Sequence, residues 1–440
     1  VAVKGAAEEV LNVCDTHGTG DEQKSLDAED RKRWLDQNTR MAEKGLRVLA
    51  LASKTVNATD VDPYGNLTFL GLVGFLDPPR ERVRETVETF HQAGIRLVML
   101  TGDQAATAGN VARQIGILTD DEQTISSGSD ISPLEEKSEE ERENLRRAAI
   151  FARCSPEQKL DILSLHQENG EITAMTGDGI NDAPALKKAE IGVAMGKRGT
   201  QVAKEAADMI LLDDELSSVG TAVEFGRVIF DNIRKFVIYL LSGNVGEILA
   251  VGLAAGVNAP LPILPLQILY LNMINDVFPA LALGIGPGGG HEMKQPPREK
   301  GEKILTRYHW GIIGGYGVVL AATILGGFVL AQTWLGMSAE QAVTISFLTI
   351  SVSRLFHAFN MRDNDTTVYS NEIVKNPWIW GAIVLSFGLL LVAVYVPGLS
   401  DVLKLSAPGT DGWMLVFGMS VLPLIVGQIW IGIERTLANR

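Results

Sequence analysis

The rhythm of apolar and polar positions changes near residue 226. Before it, short apolar runs alternate with amphipathic stretches. LTFLGLVGFLD, IRLVMLTGD, AIFARC, EITAMTGDG, IGVAM and MILLDD predict strands. RERVRETVETFHQAG and SPEQKLDILSLHQENG predict helices, the second opened by Ser155 as N-cap and Pro156 at the first helical position. Such alternation predicts an α/β fold with a doubly wound parallel sheet and ligands at the C-terminal strand edge.

After residue 226 the apolar runs lengthen. A bilayer core needs about 20 apolar residues per helix. The stretches 232–256, 263–285, 310–332, 339–360, 377–396 and 412–433 meet that length, predicting an all-α bundle of six transmembrane helices. Basic residues orient them. Arg227, Arg234 and Lys235 precede the first span, and Lys294, Arg298, Lys300, Lys303 and Arg307 join the second to the third. Arg362 and Lys375 join the fourth to the fifth, and Arg435 and Arg440 follow the sixth. The opposite loops hold only Lys404. The expectation is a multi-pass protein in a lipid bilayer, with its soluble half and C-terminus in the cytoplasm. The helix entering the first span has no Gly or Pro from Val228 to Leu241, so it is expected to run as a continuous rod.

Composition adds limits. The mean hydropathy of +0.13 averages two unlike halves. A formal net charge of −14 argues against a nucleic-acid partner, which needs a basic face. Cys14 and Cys154 lie far apart, so no disulfide framework is implied. The run EEKSEEERENLRR reads as a solvated helix face. The opening VAVKGAAEEV starts without Met, as though cut in mid-strand, so the chain is expected to be the C-terminal part of something longer.

Candidate chemistry sits in both halves. Three predicted strands end in Asp77, Asp103 and Asp178. Acids grouped on one edge repel unless a cation lies between them, and Mg²⁺ suits oxygen ligands. In TGDGINDAPAL, glycines at 177 and 179 let backbone approach a ligand, with Asp178 and Asp182 flanking the turn. In LYLNMINDVFPALALG, Asn272, Asn275 and Asp276 are spaced to share one helical face. Pro279 lacks an N–H, so the Asn275 carbonyl loses its usual partner and needs protein, water or an ion instead. Asn244 and Glu247 offer a matching face on the first span. Together these make oxygen ligands for a hard cation near mid-bilayer. The alternative is interhelical hydrogen bonding in a packed bundle.

The order DPPR, TGD, then TGDGINDAPALKKAEIGVAMG resembles the P-type cation-transporting ATPases. SGNVGE and LNMINDVFP resemble the calcium-pump branch of bacterial type. The resemblance implies a haloacid-dehalogenase-like (Rossmann-type) phosphorylation domain plus the six-helix bundle. It divides the chain into residues 1–75, the end of a nucleotide-binding domain; 76–226, the phosphorylation domain lacking its first strand; and 227–440, the membrane domain. It implies that Lys4, Arg47 and Arg153 meet ATP. Asp77 would be a hinge; Thr101, Gly102 and Asp103 would hold the transferred phosphate; Lys159 would neutralise it. Asp178 would bind Mg²⁺, with Asn181 and Asp182 completing the site. Asn244, Glu247, Asn272, Asn275 and Asp276 would hold the transported Ca²⁺.

Arg354, in SVSRLFHAFN, stands where two-site calcium pumps carry a glutamate. A fixed positive charge there should abolish one site and act as a counter-ion, leaving one Ca²⁺ per cycle. The alternative is that Arg354 snorkels to the cytoplasmic interface.

Departures from the family limit the reading. The chain has no DKTGT, which carries the phosphorylated aspartate, and no TGE of the dephosphorylating domain. Alone it is expected not to hydrolyse ATP, and to need the N-terminal portion of the same pump. The competing readings are a membrane-anchored haloacid-dehalogenase-type phosphatase, a passive cation channel, and a pump for Mn²⁺, Na⁺ or H⁺. A bacterial plasma membrane is the expected location.

Overall fold

The computed structural model describes residues 1–19, 23–56, 62–76, 80, 82–118, 124–131, 133–364 and 366–438. Asp77 and Arg440, both named above, lie outside them. The chain divides into two compact units, Val1–Thr221 with Met293–Lys300, and Ala222–Glu292 with Gly301–Arg440.

Among the described residues the first unit holds three sheets. A five-stranded sheet has the order β1-β4-β5-β2-β3, with β1 at Ala2–Gly5, β2 at Cys14–His17, β3 at Lys24–Ser25, β4 at Leu46–Ser53 and β5 at Leu67–Leu76. Helices Ala7–Asn12 and Ala28–Glu43 accompany it, and Val10, Leu11, Cys14, Leu67 and Phe69 form its core. Cys14 is a free thiol that donates to the Val10 carbonyl at 3.0 Å, a packing role.

This corrects the reading of LTFLGLVGFLD. That strand, β5, pairs antiparallel with β4 and parallel with β2 in this mixed sheet, and does not join the wholly parallel strands. An apolar run of this length fits either setting, and only its neighbours decide.

The remaining strands form two three-stranded parallel sheets, β7-β8-β6 and β9-β10-β11. They comprise β6 Met99–Leu100, β7 Ile125–Ser127, β8 Ile150–Ala152, β9 Ala174–Gly177, β10 Ile191–Met195 and β11 Met209–Leu211. The sheet is therefore parallel as expected but split in two. Among the described residues β6 and β9 each pair on one side only. Leu100 packs against the cores of both sheets. The helix Pro156–Glu168 begins as the sequence dictates, with Ser155 accepting from the Gln158 N–H and Pro156 in its first turn. The acidic run forms a helix at Glu139–Arg147, mostly solvated but burying Leu145 and Arg146.

The second unit carries six helices long and apolar enough to cross a membrane among the described residues: Leu216–Gly256, Pro265–Gly284, Arg307–Thr333, Ala339–Met361, Pro377–Tyr395 and Gly409–Leu437. They are called the first to sixth spans below. The first is unbroken over 41 residues. The fourth is the central one, 89% of its apolar window buried, and Phe347, Leu348 and Ile350 anchor the core.

The second span is not one regular helix. It consists of Pro265–Leu271, a π-helical turn at Asn272–Asp276, and Phe278–Gly284. The expectation of one continuous α-helical face for Asn272, Asn275 and Asp276 is thus corrected. Pro279 cannot continue the hydrogen-bond ladder, and the chain widens by a residue just before it.

Candidate functional site

Two groups of residues in the first unit sit at loop ends. Lys4 on β1 and Arg47 on β4 are exposed. Lys4 pairs with Leu51, four residues beyond Arg47, so register puts both basic residues on one face of the sheet.

Thr101, Gly102 and Asp103 follow β6 directly. The Thr101 N–H donates to the Phe151 carbonyl at 3.0 Å, and its own carbonyl accepts from Cys154 N–H at 3.0 Å. Its hydroxyl accepts from the Asp103 N–H at 3.0 Å. Arg153 adopts a positive φ of 53° and donates its N–H to the Asp103 carbonyl at 3.1 Å. Its guanidinium faces Glu8 at 3.4 Å. Beside it, burial pushes the Cys154 thiol up, with Lys159 pulling the other way, so the thiol stays protonated.

The second group lies past β9. Lys159 Nζ is 2.6 Å from Asp182 Oδ1, and the other Asp182 oxygen accepts from the Gly179 N–H at 3.1 Å. A Cβ at Gly177 would stand 2.6 Å from that of Asp182, so only glycine fits this turn. Asn181 and Asp178 are exposed, and the Asp178 carbonyl accepts from Thr200 N–H at 2.8 Å. Lys159 and Asp182, assigned separate roles above, are therefore partners. No hydrogen bond or ion pair among the described residues links Thr101–Asp103 to Asp178–Asp182.

Mg²⁺ needs few protein ligands, because it keeps waters and takes phosphate oxygens. The Asp178 carboxylate is exposed and forms no hydrogen bond or ion pair among the described residues, so it fits that role. No group of three or more His, Cys, Asp or Glu side chains there could hold a metal by itself.

The second unit contains the more closed site. Arg354, fully buried on the fourth span, donates through Nη1 to Glu247 Oε1 at 2.9 Å and through Nη2 to Asp276 Oδ1. It thereby bridges acids on the first and second spans. The snorkelling alternative does not hold, since the guanidinium ends on these acids. Asn275 Nδ2 donates to Ser351 Oγ at 3.0 Å, one turn from Arg354.

The amide oxygens of Asn244, Asn272 and Asn275 are buried with no hydrogen-bond partner. A buried acceptor left bare costs about 1–3 kcal/mol, so each of these oxygens is open to a donor or a cation. The Asn275 carbonyl, by contrast, already accepts a hydrogen bond. Tyr239 Oη donates to it at 3.0 Å, and the Tyr239 ring lies 5.9 Å from the Arg354 guanidinium carbon.

Sequence reasoning missed Tyr239, Gly243 and Ser351. Tyr239, Gly243 and Glu247 recur every four residues, which puts them on one helical face and was a signal to use. A Cβ on Gly243 would stand 2.5 Å from Arg354 Cζ, so the glycine makes room for the guanidinium.

The family described as P-type ATPase, cytoplasmic domain N, matches residues 1–82. The family described as haloacid dehalogenase-like hydrolase matches 160–223, and cation transporting ATPase, C-terminus, matches 260–433. A calcium-transporting ATPase of Bacillus subtilis (strain 168) is 40% identical over 397 residues, covering 88% of this chain and 44% of the relative.

The chain belongs to the P-type cation-transporting ATPases.

Other P-type relatives extend the match. Calcium-transporting ATPase 1 of Lactococcus lactis is 35% identical over 435 residues, covering 98% of this chain and 48% of the relative. Calcium-transporting ATPase type 2C member 2 of Homo sapiens is 35% identical over 432 residues, covering 97% and 44%. The chain spans about half the length of these curated relatives. It is an integral, multi-pass P-type ATPase chain with a haloacid-dehalogenase-like domain and a bundle of six helices.

Proposed function

We propose that this chain is the C-terminal portion of an ATP-driven pump that exports Ca²⁺ from a bacterial cytoplasm, one ion per cycle. The observation that carries the reading is the set of bare amide oxygens of Asn244, Asn272 and Asn275 beside Glu247 and Asp276. Hard oxygen ligands suit Ca²⁺ better than softer metals. The relatives' names support the same ion.

Arg354 sets the count. Glu247 and Asp276 contribute −2 when ionised and Arg354 returns +1, leaving −1 for the guest. One divalent ion overshoots this by a single charge, and a second would be strongly opposed at these distances. When the ion leaves, the guanidinium remains bound to both acids and keeps them from being stranded.

Phosphoryl transfer is assigned to the first unit, with residues 1–75 closing the nucleotide domain and 76–226 forming the phosphorylation domain. Lys4, Arg47 and Arg153 bind the anionic ATP. Thr101, Gly102 and Asp103 offer a hydroxyl and backbone to the transferred phosphate. Lys159, held by Asp182, neutralises its charge, and Asn181 and Asp182 complete the site beside Asp178. Asp178 would hold Mg²⁺, which when bound shields the phosphate oxygens. The aspartate that takes the phosphate is assigned to a strand outside these 440 residues, seated between the open edges of β6 and β9. A phosphatase complete within this chain lacks that support.

The test is ATP hydrolysis by the full-length parent, scanned over Ca²⁺, Mn²⁺, Mg²⁺ and Na⁺. Stimulation by micromolar Ca²⁺ is expected. Equal rates with and without Ca²⁺ would overturn the reading, and cation conductance without ATP would point to a channel.

A further inference from the structure

Pro279 has no N–H to give. In an α-helix that N–H would have served the carbonyl of Asn275, and in a π-turn that of Ile274. These two carbonyls are the ones met by hydroxyls from other spans. Tyr239 Oη, on the first span, donates to Asn275 O at 3.0 Å. Ser386 Oγ, on the fifth, donates to Ile274 O at 3.0 Å. Two side chains thus replace one missing backbone donor, and both of its possible acceptors are covered.

Ser386 is conspicuous in its own span. Within PWIWGAIVLSFGLLLVAVY it is the single polar residue apart from aromatic side chains, and it is fully buried. A hydroxyl at this depth is costly unless it has a fixed partner. Its partner is a carbonyl of the turn that carries Asn272, Asn275 and Asp276. The other end of Phe278–Gly284 is held separately, by Asn376 Nδ2 on Ala282 O at 2.8 Å and Asn232 Nδ2 on Gly286 O at 2.8 Å. Ser386 is therefore the fifth span's hold on the turn itself.

The geometry points to Ser386 as a positioning residue of the ion site: its hydrogen bond fixes the π-turn and so aims Asn275 and Asp276 at the guest. It touches neither the ion ligands' head groups nor Arg354, and acts only through backbone. This inference rests on the pump reading above. Its consequence is specific. Loosening the turn raises the Ca²⁺ concentration needed for half-activation and leaves the maximal rate nearly intact, because the phosphorylation machinery is untouched.

The experiment uses the full-length parent in proteoliposomes, with Ca²⁺-dependent ATP hydrolysis and phosphorylation from inorganic phosphate as readouts. For Ser386→Ala the half-activating Ca²⁺ rises about tenfold, or about 1.4 kcal/mol, with kcat and phosphorylation from phosphate changed less than about twofold. Ser386→Thr, which keeps the hydroxyl, restores the wild-type value. A purely structural role would instead lower yield and kcat together without a selective change in Ca²⁺ dependence, and that result overturns the inference. So does an unchanged half-activating Ca²⁺ in Ser386→Ala. If Ser386→Ala does not assemble, Ser386→Cys keeps the shape with a weaker donor, and a shift of about threefold is expected. A wild-type parent with no Ca²⁺ response overturns the pump reading and this inference with it. An active parent with an unmoved variant overturns this inference alone.

Discussion

Arg354 Nη1 stands 2.9 Å from Glu247 Oε1, with both side chains buried inside the helical bundle. The same guanidinium reaches Asp276 through its other terminal nitrogen. Removing one partner from a buried pair strands the rest, at a cost of about 3–5 kcal/mol. Arg354→Met is expected to lower the melting temperature of the solubilised parent. Added Ca²⁺ should recover more of that loss than it adds to the wild type, because the ion then becomes the acids' only partner. Thermal unfolding with and without Ca²⁺ checks this, and equal Ca²⁺ shifts in both proteins would oppose it.

Gly243 leaves the room that Arg354 fills, since a Cβ there would come within 2.5 Å of the guanidinium. Overpacking of this kind costs about 1–3 kcal/mol. Gly243→Val is expected to destabilise by that amount and to weaken Ca²⁺ activation, measured by unfolding and by Ca²⁺ titration of ATP hydrolysis. The double variant Gly243→Val with Arg354→Met should lose less than the sum of the two, because the clash is gone.

Lys159 is held by Asp182 at 2.6 Å at the edge of the first unit. If it neutralises the phosphoryl group, Lys159→Ala in the parent lowers the rate of phosphoenzyme formation by about 10²-fold or more, the scale of one electrostatic stabiliser. Rapid-quench measurement of acid-stable phosphoenzyme checks it. Ca²⁺ binding at equilibrium should be unaffected.

Lys235 is tied to Asp363 at 2.7 Å and to Glu372 at 2.8 Å, and Glu372 is almost wholly buried. Lys235→Met is expected to destabilise the bundle by about 3–5 kcal/mol. Adding Glu372→Gln should return part of that loss, since it removes one of the two stranded charges. Denaturation of the three proteins side by side reads both changes.

The membrane half was legible because its signal is long. Twenty apolar residues in a row have few readings, and each predicted span lies on a helix found, although the first helix already begins at Leu216. Pro279 also marked the Asn275 carbonyl as one that needs another partner, through its missing N–H, though not the π-turn before it. What replaces that N–H was not legible, because Tyr239 and Ser386 lie 36 and 112 residues from the carbonyls they serve. Periodicity places a side chain on a face and says nothing of which neighbour packs there.

The strands were harder. The run IRLVMLTGD predicts a full strand, yet among the described residues only Met99–Leu100 pairs, against β8 alone. A strand with one neighbour has half the hydrogen bonds to hold it extended. LTFLGLVGFLD formed its strand but joined a mixed sheet, antiparallel to β4 and parallel to β2, since apolar content records burial and carries no direction. A carboxylate and amides within an apolar span have few uses, and Glu247 and Asp276 do converge, on Arg354.

The central claim is that the guanidinium of Arg354 takes up one of two cation positions. Equilibrium binding of radioactive Ca²⁺ to the full-length parent, counted per phosphorylatable site, tests it directly. One ion per site is predicted for the wild type, rising towards two in Arg354→Glu. Two ions in the wild type, or no change in the variant, would contradict it.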